Sequence, residues 1–267
     1  MEPFDGNKIR DQILLKIRKE IVENSRDIGL AVILAGDNPV CEKYVELKKG
    51  IAEKLGVNFD LYKFEKTDKE DDISETIKYL NTDPEVDGIM IQIPVDQKFN
   101  RDTLISLISP QKDIDGLRFC LDLASDFRPP VVLAVLEAMK SSGKDLKKSR
   151  IVIVGRGFLV GDPLRRALLE MGVKAEVADS STKDLKKLTE TADILVTAVG
   201  RTNIITEDMI KEGVALIDAG TTEQNGTQKG DIAMECYHKA SFYTPVPGGI
   251  GPVTIAMLFQ NLLKKTK

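Results

Sequence analysis

The chain has 267 residues, of which 42% are hydrophobic and 30% charged, so it is long enough for one large or two ordinary domains and has a globular composition. Its formal net charge is −4, with both signs mixed along the sequence, which argues against a nucleic-acid-binding surface. Three dispersed cysteines and a single histidine, His238, form no zinc spacing, disulfide framework or multi-histidine metal site. No apolar run approaches the ~20 residues of a membrane span, and the N-terminus lacks the order of a secretory signal. We therefore expect a cytoplasmic protein without metal, membrane or nucleic-acid partners.

Helix and strand patterns alternate along the first part of the chain. In chain order they predict a helix over 7–25, a strand over 29–36, a helix over 38–56, a strand over 58–64, a helix marked by Ile73, Ile77 and Leu80, a strand over 87–95 and a helix from Arg101. The helices have apolar residues three or four apart, and most of the strands are short apolar runs typical of a sheet buried on both faces. This alternation predicts a parallel sheet with right-handed crossovers.

Residues 109–130 break the alternation, because they have no sustained period and end in two prolines. A second series then predicts a helix over 131–143, a strand, glycine turn and helix over 149–172, strands over 175–179, 193–200 and 214–220, a hairpin over 222–230 and a last helix. The predicted fold is α/β: two α/β domains, the second a Rossmann-like parallel sheet, with a cleft between them and a C-terminal helix that returns to the first domain. The predicted limits are 1–118 with 253–267 for the first domain, and 119–252 for the second.

The stretch IVIVGRGFLVGDP runs from a buried strand through Gly155, Gly157 and Gly161 into a helix. Glycines let the backbone approach a pyrophosphate, and the helix N-terminus offers free N–H groups, so the stretch predicts a dinucleotide site. Its spacing is one residue longer than the usual fingerprint, and a tight turn in a non-binding domain is the alternative. Arg156 would suit a 2′-phosphate, whereas Asp179 would hold a free ribose 2′-hydroxyl, so these residues leave NADP and NAD open.

Tyr44 and Lys48 are four residues apart on a predicted helix and therefore share one face. Apolar residues at positions 40, 44, 47, 51 and 55 predict the buried stripe of this helix, with Lys48 at its margin. A lysine at such a margin is ordinarily a surface residue whose stem covers apolar surface, which is the alternative to a catalytic role.

Gln92 places an amide inside the predicted strand GIMIQIPV, where it must find hydrogen-bond partners. Gln92 and Pro94 fall at the carboxyl end of that strand, the end at which parallel sheets bind ligands. Asp113 and Asp115 follow in QKDIDGL, and for Asp113 we favour a turn-forming role.

The stretch YTPVPGGIGPVT places three prolines and three glycines directly before the last helix. Proline fixes φ and glycine removes the side chain, so this loop would form a stiff, bare surface that flat rings can approach closely. We expect it to form part of the wall of an active site.

Together, YVELK, DGIMIQIPV, SPQKDIDGL, IVIVGRGFLVGDPL and YTPVPGGIGPVT occur in the order and approximate spacing of the bifunctional methylenetetrahydrofolate dehydrogenase/cyclohydrolase family, which the chain resembles over nearly its whole length. The resemblance implies oxidation of 5,10-methylenetetrahydrofolate with NADP, or NAD as the alternative, and hydrolysis of the methenyl product to 10-formyltetrahydrofolate. It also implies a homodimer paired through the nucleotide-binding domains.

The resemblance further implies the site residues. Lys48 would act on the water that opens the methenyl ring, Tyr44 would position folate and assist Lys48, and Gln92 would keep Lys48 in a useful protonation state. Asp115 would bind the pterin amine and ring N–H. The other implied substrate-binding residues are Pro94, Pro247, Gly248, Gly249, Ile250 and Gly251, and the implied cofactor-binding residues are Gly155, Arg156, Gly157, Thr182 and Thr221.

The lysine assignment requires a lowered pKa, since an ordinary lysine with a pKa of about 10.4 is protonated at neutral pH and is a poor base. Desolvation without a carboxylate partner would lower the pKa of Lys48. A neutral amide such as that of Gln92 would orient the amine without raising its pKa.

Three departures from the family pattern leave two alternatives. DFRPPVVLAV stands where the family has a Pro-Cys-Thr-Pro motif, Gly157 stands where many relatives have a serine that helps hold the 2′-phosphate, and Thr221 replaces a common isoleucine. One alternative is a monofunctional dehydrogenase in which the shortened 117–130 loop misplaces Lys48. The other is a folate- or dinucleotide-binding protein without turnover.

Overall fold

The computed structural model describes residues 3–224 and 226–265, without the side chain of Lys265, and divides into two units. Within the described residues, the unit that we call the Lys48 unit consists of Asp11–Pro130 and Ile255–Lys267. The Gly155 unit consists of Met1–Arg10 and Val131–Thr254. The functional domain limits of 1–118 with 253–267, and 119–252, stay a prediction.

The described residues of the first half of the chain form five helices and three strands. They are α1 (Gly6–Glu23), β1 (Gly29–Ala35), α2 (Pro39–Leu55), β2 (Asn58–Phe64), α3 (Glu70–Thr82), β3 (Gly88–Ile91), α4 (Arg101–Leu107) and the one-turn α5 (Leu117–Cys120). The three strands form a parallel sheet in the order β2-β1-β3, as the alternation predicted. Every residue of β1 is buried, which explains its continuous apolar sequence.

The predicted strand over 87–95 is too long. Strand β3 ends at Ile91, and beyond it the backbone N–H of Gln92 donates to the carbonyl of Ile33 at 2.8 Å. Gln92 therefore lies just past the carboxyl end of the strand instead of inside it. The peptide bond before Pro94 is cis.

The second half of the chain supplies the elements of the other sheet. They are α6 (Pro130–Ser141), β4 (Ile151–Val154), α7 (Gly161–Glu170), β5 (Ala175–Ala178), α8 (Leu185–Thr189), β6 (Ile194–Thr197), β7 (Ala215–Asp218), β8 (Thr222–Gln224), β9 (Thr227–Lys229), β10 (Phe242–Tyr243) and α9 (Ile250–Lys265). Strands β10-β7-β6-β4-β5 form one parallel sheet in that order, which confirms the Rossmann-like prediction.

Two details of this half bear on the sequence-based predictions. The hairpin expected over 222–230 forms as the antiparallel pair β8 and β9, although Asn225 of its turn lies outside the described residues. Strand β10 was missed by the sequence analysis. It has only two residues, which is too short for a sequence pattern. These residues form a strand because they pair in parallel with β7.

The C-terminal helix returns to the Lys48 unit, as predicted. The side-chain amide of Asn261 donates to the carbonyls of Ile114 at 2.9 Å and Arg128 at 3.0 Å, and Leu258 and Phe259 join the buried core beneath β1. Burial of each such large apolar side chain contributes about 1.5–3 kcal/mol. The helix begins at Ile250 and not at residue 253, and residues 266–267 of the predicted helix lie outside the described part of the chain. No helix among the described residues is long and apolar enough to cross a membrane.

Candidate active site

Helix α2 presents Lys48 on its buried face. The Asn38 side chain accepts a hydrogen bond from the N–H of Val40 at 2.9 Å, and Pro39 occupies the first turn, so the helix begins as predicted. Its buried residues are Cys41, Val45, Ala52 and Leu55, whereas Val40, Tyr44 and Leu47 are 49%, 39% and 48% exposed. The predicted stripe was therefore wrong in all but Leu55 and partly buried Ile51. Lys48 lies seven residues after Cys41, on the face that faces the core.

The amine of Lys48 meets an amide and a thioether. Its Nζ donates to Oε1 of Gln92 at 2.8 Å and lies 3.4 Å from Sδ of Met90. The side chain of Gln92 is only 8% exposed, and its Nε2 donates to the carbonyl of Ile93 at 2.9 Å. Both ends of the amide are thus engaged, which fixes the oxygen that faces Lys48.

Burial lowers the pKa of Lys48 below its ordinary value, and the negative charge of Asp115 opposes this shift. The sequence analysis did not anticipate this charge. Desolvation still outweighs the attraction, so a larger fraction of the amine is neutral at a given pH and able to accept a proton. Burial likewise raises the pKa of Asp115, against the effect of Lys48. Both groups are shifted toward their neutral forms.

Asp113 and Asp115 have different surroundings. The carboxylate of Asp113 accepts hydrogen bonds from the N–H groups of Leu117 at 3.0 Å and Arg118 at 2.8 Å and from the Ser125 hydroxyl at 3.2 Å. It shapes the turn, as expected, and burial raises its pKa to about 7. Within residues 3–224 and 226–265, no group donates a hydrogen bond to the Asp115 carboxylate, which leaves it able to accept one from a ligand.

Cys41 also lies beside this site, and the sequence analysis missed it. Its side chain is 1% exposed and donates to the carbonyl of Pro94 at 3.5 Å, and burial raises the pKa of the thiol. The spacing of Cys41, Val45 and Lys48 is that of one helical face and could have identified it. Tyr44 is on the exposed side and makes no described hydrogen bond to Lys48 or Gln92.

The proline-glycine loop belongs to the Gly155 unit. Pro247, Gly248 and Gly249 form a turn after a cis peptide bond, while Ile250 and Gly251 already belong to the first turn of α9. The carbonyl of Gly248 accepts a hydrogen bond from the N–H of Gly6 at 2.9 Å, which ties this turn to the start of α1.

The glycine turn follows β4, an inner strand of the larger sheet. Strand β4 lies between β5 and β6, so the chain order reverses here, as at a dinucleotide-binding switch point. Gly155 has φ 107° and donates to the carbonyl of Ala178 at 2.9 Å. A Cβ on Gly161 would lie 1.9 Å from the Gly155 carbonyl oxygen, so helix α7 can approach the turn only because Gly161 lacks one.

Charged and hydroxyl side chains surround this turn. Arg156 Nε lies 3.6 Å from Oδ1 of Asp162, and the same positive charge contributes to lowering the pKa of Asp179, after hydrogen bonds from Ser181. Thr182 Oγ1 accepts from the Asp179 N–H at 3.0 Å, so it is fixed at the end of β5.

Thr221 is exposed and follows β7, two strands from β4 in the sheet. The predicted nucleotide-binding residues therefore follow β4, β5 and β7, whose carboxyl ends lie at the same edge of the parallel sheet. Among the described residues, no group of three or more His, Cys, Asp or Glu side chains could hold a metal ion.

Comparison with known proteins identifies the family. Residues 4–115 match the model of the tetrahydrofolate dehydrogenase/cyclohydrolase catalytic domain, and residues 129–267 match the model of its NAD(P)-binding domain. The bifunctional protein FolD of Bacillus subtilis is 39% identical over 274 residues, which are 99% of this chain and 97% of that protein. This chain belongs to the tetrahydrofolate dehydrogenase/cyclohydrolase family. The resemblance inferred from its motifs is thereby confirmed.

Solved structures agree with this family assignment. The bifunctional FolD of Campylobacter jejuni matches with a TM-score of 0.93 and 34% identity, over 99% of this chain and 98% of that one. The Trypanosoma brucei methylenetetrahydrofolate dehydrogenase-cyclohydrolase, a complex with NADP and an inhibitor, matches with a TM-score of 0.90 and 27% identity, over 99% and 96% of the chains.

Proposed function

We propose that this chain oxidises 5,10-methylenetetrahydrofolate with NAD(P)⁺ and then hydrolyses the 5,10-methenyl product to 10-formyltetrahydrofolate. Family membership supports both activities over the monofunctional and non-catalytic alternatives. The observation that carries the hydrolytic step is the 2.8 Å hydrogen bond between Lys48 and Gln92, formed by an amine whose pKa is lowered by burial. The shortened 117–130 loop leaves this pair in place.

In the hydrolytic step, Lys48 would remove a proton from water as the water attacks the methenyl carbon. An amine can do this only in its neutral form, which desolvation favours. Gln92 would orient the lone pair without adding a charge, and Tyr44, four residues before Lys48, would contact the folate ring system. The hydroxyl adduct then loses its proton as one C–N bond breaks. The nitrogen that leaves takes up a proton, and the formyl group stays on the other nitrogen.

In both steps Asp115 would anchor the pterin through its free carboxylate oxygens. Pro94, beside the Lys48–Gln92 pair, would contribute to the folate site. We assign the same role to the proline-glycine turn, whose residues are Pro247, Gly248, Gly249, Ile250 and Gly251. Its backbone lets a flat ring approach without meeting long side chains.

For the dinucleotide we assign the residues that follow the sheet's carboxyl edge: Gly155, Arg156, Gly157, Thr182 and Thr221. The close packing of Gly161 on Gly155 fits a turn that presents backbone to a pyrophosphate. When bound at these residues, the dinucleotide would supply the acceptor for the hydride of the folate one-carbon unit. Arg156, 58% exposed at the turn, and the NADP complex of the Trypanosoma brucei relative favour NADP, with NAD as the alternative.

The test is to assay the two reactions separately with the purified chain. We expect reduced nicotinamide to appear with methylenetetrahydrofolate, and methenyltetrahydrofolate to be hydrolysed above the buffer rate without nucleotide. Hydrolysis at the buffer rate would show that the chain is a monofunctional dehydrogenase. Binding of the nucleotide without its reduction would show that the chain is a binding protein without turnover.

Nucleotide preference should depend on Asp179. Replacing Asp179 with serine removes a carboxylate whose charge interacts with Arg156, so the ratio of kcat/KM for NADP to that for NAD should rise by about tenfold. Asp184→Ser is the matched control, because Asp184 is also an exposed carboxylate that accepts a backbone N–H, from Lys187 at 3.0 Å. An unchanged ratio in Asp179→Ser would contradict the placement of this carboxylate near the ribose.

The proposal includes assembly and location. We assign a cytoplasmic homodimer paired through the nucleotide-binding domains, with residues 1–118 and 253–267 as the folate-binding domain and 119–252 as the nucleotide-binding domain. Sedimentation of the purified chain at several concentrations tests the dimer.

A further inference from the structure

A buried carboxylate holds a loop at the carboxyl edge of the larger sheet. Asp231 is 0% exposed, and its Oδ2 accepts a hydrogen bond from the N–H of Val199 at 2.6 Å, while its Oδ1 accepts one from the N–H of Arg201 at 2.8 Å. The N–H of Gly200 also interacts with this carboxylate. Three consecutive N–H groups therefore converge on one buried carboxyl group, an arrangement that proteins use to bind anionic ligands. Burial raises the pKa of Asp231, and these N–H groups oppose that shift.

The position of Asp231 is fixed on both sides. Its carbonyl accepts a hydrogen bond from the N–H of Ile205 at 3.2 Å, and Ala233 donates to the carbonyl of Ile205 at 2.9 Å, so the backbone is paired. A Cβ on Gly220 would lie 2.1 Å from the carboxyl carbon of Asp231. The carboxylate thus fills the space that a side chain at position 220 would need, and it has little freedom to move.

The loop that Asp231 holds borders the glycine turn. We call residues 198–201, which follow β6, the β6 loop. Strand β6 pairs with β4, and a Cβ on Gly155 would lie 2.6 Å from the carbonyl oxygen of Ala198. Movement of the β6 loop toward β4 would therefore bring its backbone against the turn that presents Gly155.

We propose that Asp231 is a positioning residue for the dinucleotide, which keeps the β6 loop in the conformation that leaves the Gly155 turn accessible. The inference rests on the proposed function, because it takes NAD(P) to bind at that turn. A loop without this anchor would populate several conformations, and the apparent affinity falls in proportion to the binding-competent fraction.

Asp231→Asn tests the proposal with little change in size. The asparagine amide offers one acceptor oxygen, and its NH₂ group would face a backbone N–H. We expect the Kd for NADP, measured by titration calorimetry without folate, to rise about 10- to 100-fold, the effect of losing one charged hydrogen bond. The KM for the nucleotide should rise in parallel, with a smaller change in kcat.

Asp193→Asn is the matched control, because Asp193 lies just before the start of β6, whereas the loop held by Asp231 follows the end of β6. Asp193 directly precedes β6, accepts the N–H of Arg150 at 2.7 Å and pairs with Lys211 at 2.6 Å. Both variants should lose stability, but only Asp231→Asn should weaken NADP binding. Circular dichroism and thermal unfolding report whether each variant is folded, and the native chain is assayed for hydrolysis of methenyltetrahydrofolate. If the native chain lacks that activity, the proposed function fails, and the Kd comparison still decides this inference.

An unchanged Kd in folded Asp231→Asn would overturn the proposal and leave Asp231 a purely structural residue. Should that variant not fold, amide hydrogen exchange of the native chain without nucleotide provides the decision. The amides of Val199 and Arg201 should exchange much more slowly than those of an open loop, because each donates a hydrogen bond to the carboxylate. Exchange at the rate of an unprotected loop would contradict the inference.

Discussion

Lys48→Met is expected to lower the kcat of methenyltetrahydrofolate hydrolysis by about 10²- to 10⁴-fold, the usual contribution of a general base. Methionine has a similar length and suits the partly buried position beside Met90 and Gln92, so the variant should fold. What is lost is the nitrogen that would take the proton of the attacking water. Nucleotide affinity should not change, because the predicted dinucleotide residues belong to the Gly155 unit.

Lys49→Met is the control for this variant. Lys49 is the next residue of α2 but is exposed, so its replacement changes the same charge without touching Gln92. Hydrolysis should continue at nearly the native rate in Lys49→Met. Native rates in Lys48→Met would remove Lys48 from the mechanism.

The pH dependence of hydrolysis gives a second measure of the same role. Because the neutral amine is the active form, kcat should rise with pH as Lys48 loses its proton. Burial lowers the pKa of Lys48, so the rise should be centred below the ordinary lysine value of 10.5. Gln92→Glu would place a carboxylate against the ammonium group and should move the rise to higher pH. A profile that does not move in Gln92→Glu would show that another group limits the rate.

Helix α2 shows what periodicity can and cannot predict. Its limits followed from local chemistry, since Asn38 and Pro39 start it and Gly56 ends it with φ 79°. The buried face of α2 could not be predicted from local chemistry, because the helix carries apolar residues on two sides. The choice between them is made by the sheet against which the helix packs, which lies outside any local window.

The contact between Lys48 and Gln92 was equally beyond local patterns. The two residues are 44 positions apart, and they meet because β3 lies beside β1 while α2 packs on that sheet. The resemblance of the motifs suggested the pair. The spacing of apolar residues alone predicted only that Lys48 lies at the margin of the buried face of α2. The nearby charge of Asp115 was not anticipated as an influence on Lys48, because sequence does not show which carboxylates share a buried space.

The carboxylate of Asp231 illustrates a further limit. In the sequence it is one acidic residue near a glycine-rich hairpin, and nothing local distinguishes it from a solvated aspartate. Only the fold shows that it is buried and that three backbone N–H groups converge on it. The glycine turn at 155, by contrast, could be predicted, because strand, turn and helix follow one another directly.

Gly155→Ala should therefore have the largest effect on the dehydrogenase, lowering its kcat/KM for NADP by about 100-fold or more, the loss that a displacement of about 1 Å can cause. Gly155 has φ 107°, a backbone conformation that alanine disfavours, and the added Cβ would lie 2.6 Å from the Ala198 carbonyl oxygen and 3.2 Å from a methyl carbon of Val199. The turn must shift to relieve this contact, and the shift changes the surface that the pyrophosphate approaches. Hydrolysis of methenyltetrahydrofolate should persist, since Lys48 and Gln92 belong to the other unit.

Gly157→Ala, in the same turn, separates this steric effect from a general sensitivity of the loop. The atom nearest to a Cβ at position 157 is the Ala198 carbonyl oxygen at 4.0 Å, and Gly157 has no positive φ in the range that favours glycine. Alanine there should change the Kd for NADP by less than about threefold, the equivalent of about 0.6 kcal/mol. If both alanine variants weaken nucleotide binding alike, the close approach of Gly155 to the β6 loop is not what keeps the turn open. If neither does, the dinucleotide does not bind at this turn.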